Sequence, residues 1–173
     1  MVVNYLLSAA FQLRYVLAAH FVRDCAHVIE IGGYQTPITW FLTGRHDSVT
    51  VYDERIAKFQ ADRLNGHVCD VRHVRALFQD IPSLSMSKFG LVVLDMDIAG
   101  DLAPFYAMVR GSEVAVLEFA IDHDPSKQLF ENTMARCGKA IDLQLELDLS
   151  KNDFGNQKRG QHTHPKRRMV VLR

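Results

Sequence analysis

Short runs of mostly apolar, β-branched or Leu-rich residues, separated by stretches long enough for a helix, are the feature that most narrows the fold of this chain. The runs before residue 120 lie at 28–31, 49–52, 67–69, 91–94 and 114–117. Continuous apolar runs are typical of parallel strands buried on both faces of a sheet. Helix-length segments lie near 36–44, 55–65, 72–80, 101–110 and 125–137. This alternation predicts βαβ units and a doubly wound α/β sheet.

The C-terminal part of the chain changes the pattern. From Ala140 to Leu149, apolar residues alternate with polar ones, as in a half-buried strand, and the run Arg168–Leu172 follows a polar loop. No helix fits between these two strands, so we expect them to pair antiparallel. The prediction is a mostly parallel seven-stranded sheet that ends in a C-terminal antiparallel hairpin.

The first 24 residues predict a helix that precedes this sheet. Apolar residues recur there at spacings of three and four, which indicates one face of an amphipathic helix: Leu6, Ala10, Leu13, Leu17 and Phe21. Polar residues keep every apolar run shorter than the roughly 18 residues of a membrane span. We expect the helix to cover a face of the sheet or to join two copies in a homo-oligomer, and we expect no membrane contact.

Length and charge set limits on the class of protein. The 173 residues predict a single domain over 1–173, with an N-terminal helix in 1–24 and two halves at 27–120 and 125–173. Twenty basic and twenty acidic residues cancel, which argues against bulk electrostatic binding of nucleic acid. The three cysteines form no Cys-x-x-Cys pair, which favours reduced thiols and a cytoplasmic location.

Glycines follow the first strand, where an open α/β sheet binds its ligands. Gly32 and Gly33 come directly after Glu30 and Ile31. They allow a tight turn and a close approach of the backbone to a ligand. A plain connection between a strand and a helix would use the same residues, so both interpretations stay open.

Carboxylates follow the next three strands. Asp53 lies 20 residues after Gly33, where an acidic side chain accepts hydrogen bonds from a ribose, although it could also cap a helix. Asp70 could accept a hydrogen bond from an adenine amine or lie solvated in a loop. Asp95 and Asp97 could bind a divalent cation, but Asp95 alone facing the ligand is favoured, and no metal site is predicted.

In their order and spacing, these segments resemble the core of class I S-adenosylmethionine-dependent methyltransferases from about His27 to the end of the chain. Residues 28–33 (Val-Ile-Glu-Ile-Gly-Gly) stand at the family's glycine-rich first motif, and 89–95 resembles its fourth-strand motif. The terminal hairpin resembles the family's reversed seventh strand. The chain departs from the family because Tyr34 and Gln35 replace a further glycine pair, and because the fourth strand lacks an Asn-Pro-Pro-Tyr sequence.

The resemblance implies methyl transfer from S-adenosylmethionine to an acceptor that the sequence does not identify. It makes 27–120 the donor-binding half and implies cofactor binding by five residues: Glu30, Gly32, Gly33, Asp53 and Asp70. It places Asp95 at the catalytic position beside the acceptor. The reaction would be an in-line displacement at the sulfonium methyl, in which the protein positions and desolvates the reactants.

Other interpretations remain open at this stage. A non-catalytic module could keep this fold as a partner subunit, and a nicotinamide-dependent oxidoreductase could use Gly32, Gly33 and Asp53. A metal-dependent transferase using Asp95 and Asp97 is a further alternative. Residues 151–168 include six lysines and arginines. This segment is either a solvated loop or a recognition element for a phosphorylated acceptor, a small molecule or, less favoured, RNA.

Overall fold

The computed structural model describes residues 9–32, 38–43, 45–53, 70–74, 88–94, 96, 98, 100–149, 164 and 166–173. The helices are α1 (Ala9–Val22), α2 (Ala103–Gly111) and α3 (Asp124–Cys137), and a 3-10 turn covers Ile38–Trp40. The strands are β1 (His27–Ile31), β2 (Ser48–Tyr52), β3 (Asp70–Val74), β4 (Phe89–Leu94), β5 (Val114–Ala120), β6 (Ile141–Asp148) and β7 (Lys166–Leu172).

The strands form one sheet in the order β3-β2-β1-β4-β5-β7-β6. Strands β1 to β5 pair in parallel, whereas β7 pairs antiparallel with both β5 and β6. The prediction of a mostly parallel α/β sheet with a C-terminal antiparallel pair is confirmed. The chain order reverses between β1 and β4, and open α/β sheets bind their ligands outside the carboxyl ends of the strands at such a reversal.

The third strand differs from the prediction. It covers Asp70–Val74 instead of 67–69, and Asp70 pairs with Ser48 at the start of β2. The prediction that Asp70 follows the strand is therefore wrong, because Asp70 begins it. Since parallel strands share one carboxyl edge, Asp70 lies at the opposite edge of the sheet from Asp53.

Two helical predictions are also corrected. The expected helix over 72–80 begins inside β3, and the expected helix over 36–44 is a 3-10 turn at Ile38–Trp40 within the described residues 38–43. The segments predicted at 101–110 and 125–137 are the helices α2 and α3.

Two apolar layers enclose the sheet. On one face, α1 and the 3-10 turn pack against valines of the central strands, among them Val28, Val51, Val92 and Val116. On the other face, α2 and α3 pack against the intervening residues, among them Ile29, Leu91, Val93 and Leu117. Because both faces are covered, every residue of β4 and β5 is buried. This explains the continuous apolar runs in the sequence.

Helix α1 covers the sheet with a face that only partly matches the prediction, because Leu17 and Phe21 pack against the core as expected. Its buried apolar side is formed by Tyr15, Ala18, Ala19 and Val22. Leu13, which was expected to face the core, is 45% exposed, and Val16 is 51% exposed. The small side chains of the two alanines allow a close approach to the sheet. No helix among the described residues is long and apolar enough to span a bilayer.

Candidate functional site

The turn after β1 opens the crevice at the reversal of strand order. Gly32 adopts a φ of +89°, a conformation that suits glycine, and its N–H donates to the carbonyl of Tyr52 at 2.8 Å. This bond ties the end of β1 to the end of β2. A Cβ built on Gly32 would meet nothing within 4 Å. The turn therefore presents its backbone to open space, as the binding of a ligand against it requires.

Glu30 lies in β1 below this turn and is only 2% exposed. The backbone N–H of Ile38 donates to its Oε2 at 2.8 Å. Residues on the two sides of the glycine-containing segment are thus joined by one side chain. Burial raises the pKa of Glu30 to about 8, with nearby Asp53 raising it further, while the Ile38 bond and the charge of Arg14 oppose this shift.

Asp53 directly follows β2 and is 5% exposed. Its charge acts on Glu30, which places the two carboxyl groups in the same electrostatic environment. Tyr52, the residue before it, accepts the Gly32 N–H. The predicted residues Glu30, Gly32 and Asp53 are therefore brought together at the carboxyl edge of β1 and β2.

A buried ionic cluster, formed by Arg14, Glu118 and Arg167, lies farther along the same edge. Glu118 in β5 is fully buried, and its carboxylate is 3.1 Å from Nε of Arg14 and 3.7 Å from Nε of Arg167. Arg14 comes from α1 and Arg167 from β7. The charge of Arg14 also acts on Glu30. Arg14 therefore interacts with carboxyl groups on both sides of the strand-order reversal, Glu30 in β1 and Glu118 in β5.

Sequence reasoning did not identify this cluster. Arg14 stands in a mostly apolar helix, and Glu118 stands in an otherwise apolar strand, Val-Ala-Val-Leu-Glu-Phe-Ala. The available signal was the single strong charge in each of these two apolar elements. Because a buried charge needs a partner of opposite sign, the two charges could have been expected to pair. The pairing itself depends on the tertiary arrangement of α1, β5 and β7.

A second polar group follows β5 at the same edge. His123 Nδ1 lies 2.7 Å from Ser126 Oγ, and His164 Nδ1 lies 3.4 Å from Asp122 Oδ1. The two imidazole rings are 4.6 Å apart between centroids. Their partly exposed position allows polar contact with a ligand or with solvent.

Of the remaining predicted site residues, the structure describes only Asp70. Gly33, Asp95 and Asp97 lie outside the described residues. Asp70 is at the opposite edge of the sheet. Most of the basic segment 151–168 also lies outside the described residues, so acceptor binding there stays a prediction.

The end of that basic segment is described, and it is engaged within the protein. Arg167 belongs to the buried ionic cluster, and Arg168 pairs with Glu146 at 2.6 Å. Within the part of the chain that the structure describes, no three His, Cys, Asp or Glu side chains could hold a metal ion together.

Comparison with known proteins found no matching family model and no matching curated protein. Solved structures do match. The N-methyltransferase NodS from Bradyrhizobium japonicum WM9, in complex with S-adenosyl-L-homocysteine, has a TM-score of 0.64 and 13% identity, over 96% of this chain and 88% of that one.

Two further enzymes have the same architecture. The 1,6-didemethyltoxoflavin-N1-methyltransferase of Burkholderia thailandensis, with S-adenosylhomocysteine bound, has a TM-score of 0.64 and 12% identity over 96% of this chain and 78% of its own. The tRNA (uracil-54, C5)-methyltransferase of Pyrococcus abyssi has a TM-score of 0.61 and 14% identity over 95% of this chain and 38% of its own. The chain therefore has the class I fold of S-adenosylmethionine-dependent methyltransferases.

Proposed function

We propose that this protein is a methyltransferase that uses S-adenosylmethionine. The observation that carries the proposal is the open turn at Gly32, with its left-handed backbone, beside the buried carboxylate of Asp53. This pair lies at the reversal of strand order in a class I sheet. The solved structures with bound S-adenosylhomocysteine support the choice of cofactor, because they share this fold.

The residues present suit a nucleoside ligand. The space beside Gly32 lets the backbone approach a ligand without a side chain between them. Asp53 is acceptor-only when ionised and can take hydrogen bonds from both hydroxyls of a ribose. Glu30 contributes indirectly, because its bond to Ile38 holds the segment that follows the turn.

The bound donor would supply an electrophilic methyl group on a sulfonium, so the protein needs no covalent intermediate of its own. The chain's contribution is to position the ligand and to exclude water. The buried ionic cluster supports this role, because it attaches α1 to the carboxyl edge of β5 next to the crevice.

The reversed strand β7 distinguishes this proposal from a nicotinamide-dependent oxidoreductase. An antiparallel strand at this position is not expected in a dinucleotide-binding domain of that class, whereas here β7 pairs antiparallel with β5 over residues 115–120. We therefore favour methyl transfer over hydride transfer. We also favour methyl transfer over an inactive module of the same fold.

Calorimetric titration with S-adenosylmethionine, S-adenosylhomocysteine and NAD tests the proposal. We expect the two sulfur nucleosides to bind and NAD to bind more weakly. Asp53→Asn removes the charged acceptor and should weaken binding on the order of tenfold to a hundredfold. Asp47→Asn is the matched control, because Asp47 is exposed at the opposite end of β2. Equal affinities of the two variants would contradict the assignment, and absence of sulfur-nucleoside binding would contradict the proposed function.

A further inference from the structure

Two histidines and an aspartate lie at the carboxyl edge of β5, and the proposed function does not yet use them. Asp122 and His123 follow β5, and His164 precedes β7. The backbone N–H of Ile121 donates to the carbonyl of Lys166 at 3.0 Å, which continues the pairing of β5 with β7 beyond the last residue of β5. His164 is thereby held close to the residues that follow β5.

Asp122 determines which ring nitrogen of His164 carries the hydrogen. Its Oδ1 lies 3.4 Å from Nδ1 of His164, a separation that is common in catalytic pairs before a ligand binds. An ionised carboxylate only accepts hydrogen bonds, so the neutral imidazole has its hydrogen on Nδ1 and its lone pair on Nε2. A histidine that a carboxylate orients in this way is a typical general base.

The ring of His164 is supported by a second imidazole. The rings of His123 and His164 are 4.6 Å apart between centroids, with 32° between their planes. Nδ1 of His123 lies 2.7 Å from Oγ of Ser126, which is 2% exposed in the first turn of α3. The buried serine anchors His123, which in turn supports His164. The side chain of His164 itself is 32% exposed, so a ligand can reach it.

The position of this group along the sheet edge suits the side of the site where an acceptor would bind. In the proposed function, Gly32 and Asp53 hold the donor at the ends of β1 and β2. Only β4 lies between β1 and β5. Because neighbouring strands are about 4.8 Å apart, the end of β5 is about 10 Å from the end of β1. A small acceptor fits in this interval, between the donor and the imidazole of His164.

We propose that His164, oriented by Asp122, takes the proton that the acceptor loses during methyl transfer. The proposal rests on the proposed function and specifies its substrate class: a hydroxyl or amino compound whose nucleophilic oxygen or nitrogen carries a proton. As this atom forms its bond to the methyl carbon, the carbon–sulfur bond breaks and its electron pair stays on sulfur. The proton moves to Nε2 of His164, and the imidazolium, stabilised by Asp122, later releases it to solvent.

The proposal implies a dependence on pH, because a protonated imidazole cannot take a second proton. The titratable groups in contact with the ring of His164 are Asp122 and His123. Asp124 at the start of α3 and Lys166 at the start of β7 are exposed, so water and salt screen their charges. Since histidine side chains change charge between about pH 5 and 8, measurements at the two ends of this range compare the two protonation states.

Nitrogen NMR of the imidazole rings tests the arrangement without an acceptor. At pH 8 we expect the hydrogen of His164 on Nδ1, and Asp122→Asn should move it towards Nε2, because an amide N–H can donate to Nδ1. S-adenosylhomocysteine should shift the signals of His164 and slow its modification by diethyl pyrocarbonate severalfold. The exposed His20 of α1 is the control, and it should not respond.

Transfer of labelled methyl groups from S-adenosylmethionine into a heat-treated whole-cell extract measures the rate. We expect His164→Gln to lower the rate at pH 8 on the order of a hundredfold and to remove the decrease of the rate towards pH 5.5, with unchanged binding of S-adenosylhomocysteine. His20→Gln is the matched variant and should behave as the wild type.

Three results would each overturn the inference: hydrogen on Nε2 of neutral His164, no response of His164 to bound S-adenosylhomocysteine, or an unchanged rate and pH profile in His164→Gln. If the sulfur nucleosides do not bind, or if the wild type transfers no label, the proposed function fails instead.

Discussion

The stability of the free protein should depend on pH through Glu30. Its pKa in the folded protein is about 8, above the ordinary value of 4.5. Between these two values the folded chain holds a proton that the unfolded chain has lost. Stability is therefore fully present below about pH 4.5 and decreases as the pH rises towards 8. The direction is opposite to that of a carboxylate stabilised by a salt bridge.

The size of this change in the free energy of unfolding follows from the difference between the two pKa values. One pH unit corresponds to about 1.4 kcal/mol, so the interval from 4.5 to about 8 corresponds to at most about 5 kcal/mol. Domains of this kind are stable by only about 5–15 kcal/mol in total. Ionisation of Glu30 thus removes a large fraction of the free energy of unfolding, because the side chain has no access to water.

Urea unfolding of the wild type and of Glu30→Gln at pH 5, 7 and 9 measures this effect. The difference between the two proteins isolates Glu30, since other titrating groups contribute to both. We expect similar free energies of unfolding near pH 5 and a variant that is more stable by several kcal/mol at pH 9. A difference that stays constant from pH 5 to pH 9 would refute the reasoning.

Three further substitutions test the packing and the ion pairs. Gly90→Ala should destabilise by about 1–3 kcal/mol in urea unfolding, because its Cβ would lie 2.9 Å from Val22; no loss would mean that α1 is free to move away. Arg14→Met should cost on the order of 3 kcal/mol by leaving Glu118 with less compensating charge, and thermal unfolding would reveal an unchanged Tm if the ion pair were unimportant. Glu146→Gln breaks an exposed pair and should change stability by under about 1 kcal/mol; a larger loss would contradict its surface position.

The pattern of apolar runs was sufficient to predict the central strands and the direction of the last two. It failed at the third strand, where residues 67–69 and 70–74 are both compatible with a short strand. Strand β3 is at the edge of the sheet and includes Arg72 and His73. Its position depends on register with β2, a tertiary property that local sequence does not determine.

In the candidate site, too, features with a local sequence signal could be predicted, whereas features that depend on tertiary contacts could not. Gly32 and Asp53 could be identified because a turn with a left-handed residue and a carboxylate after a strand are local signals. The role of Glu30 in holding Ile38 could not, since it depends on where the chain returns after the turn. The pairing of Arg14 with Glu118 depends on the docking of a helix from the other end of the domain.

This pairing also explains how α1 adopts one orientation on the sheet. The helix has apolar residues on several sides, and leucine and valine side chains remain exposed in the structure, so burial of apolar area alone distinguishes poorly between rotations about its axis. A different rotation would remove the guanidinium of Arg14 from Glu118 and leave this buried carboxylate with only Arg167, at 3.7 Å, to compensate its charge. The ionic cluster therefore selects the rotation, whereas the apolar contacts supply most of the free energy of packing. Because the same guanidinium also acts on Glu30, selecting the rotation of α1 sets the electrostatic environment of the crevice.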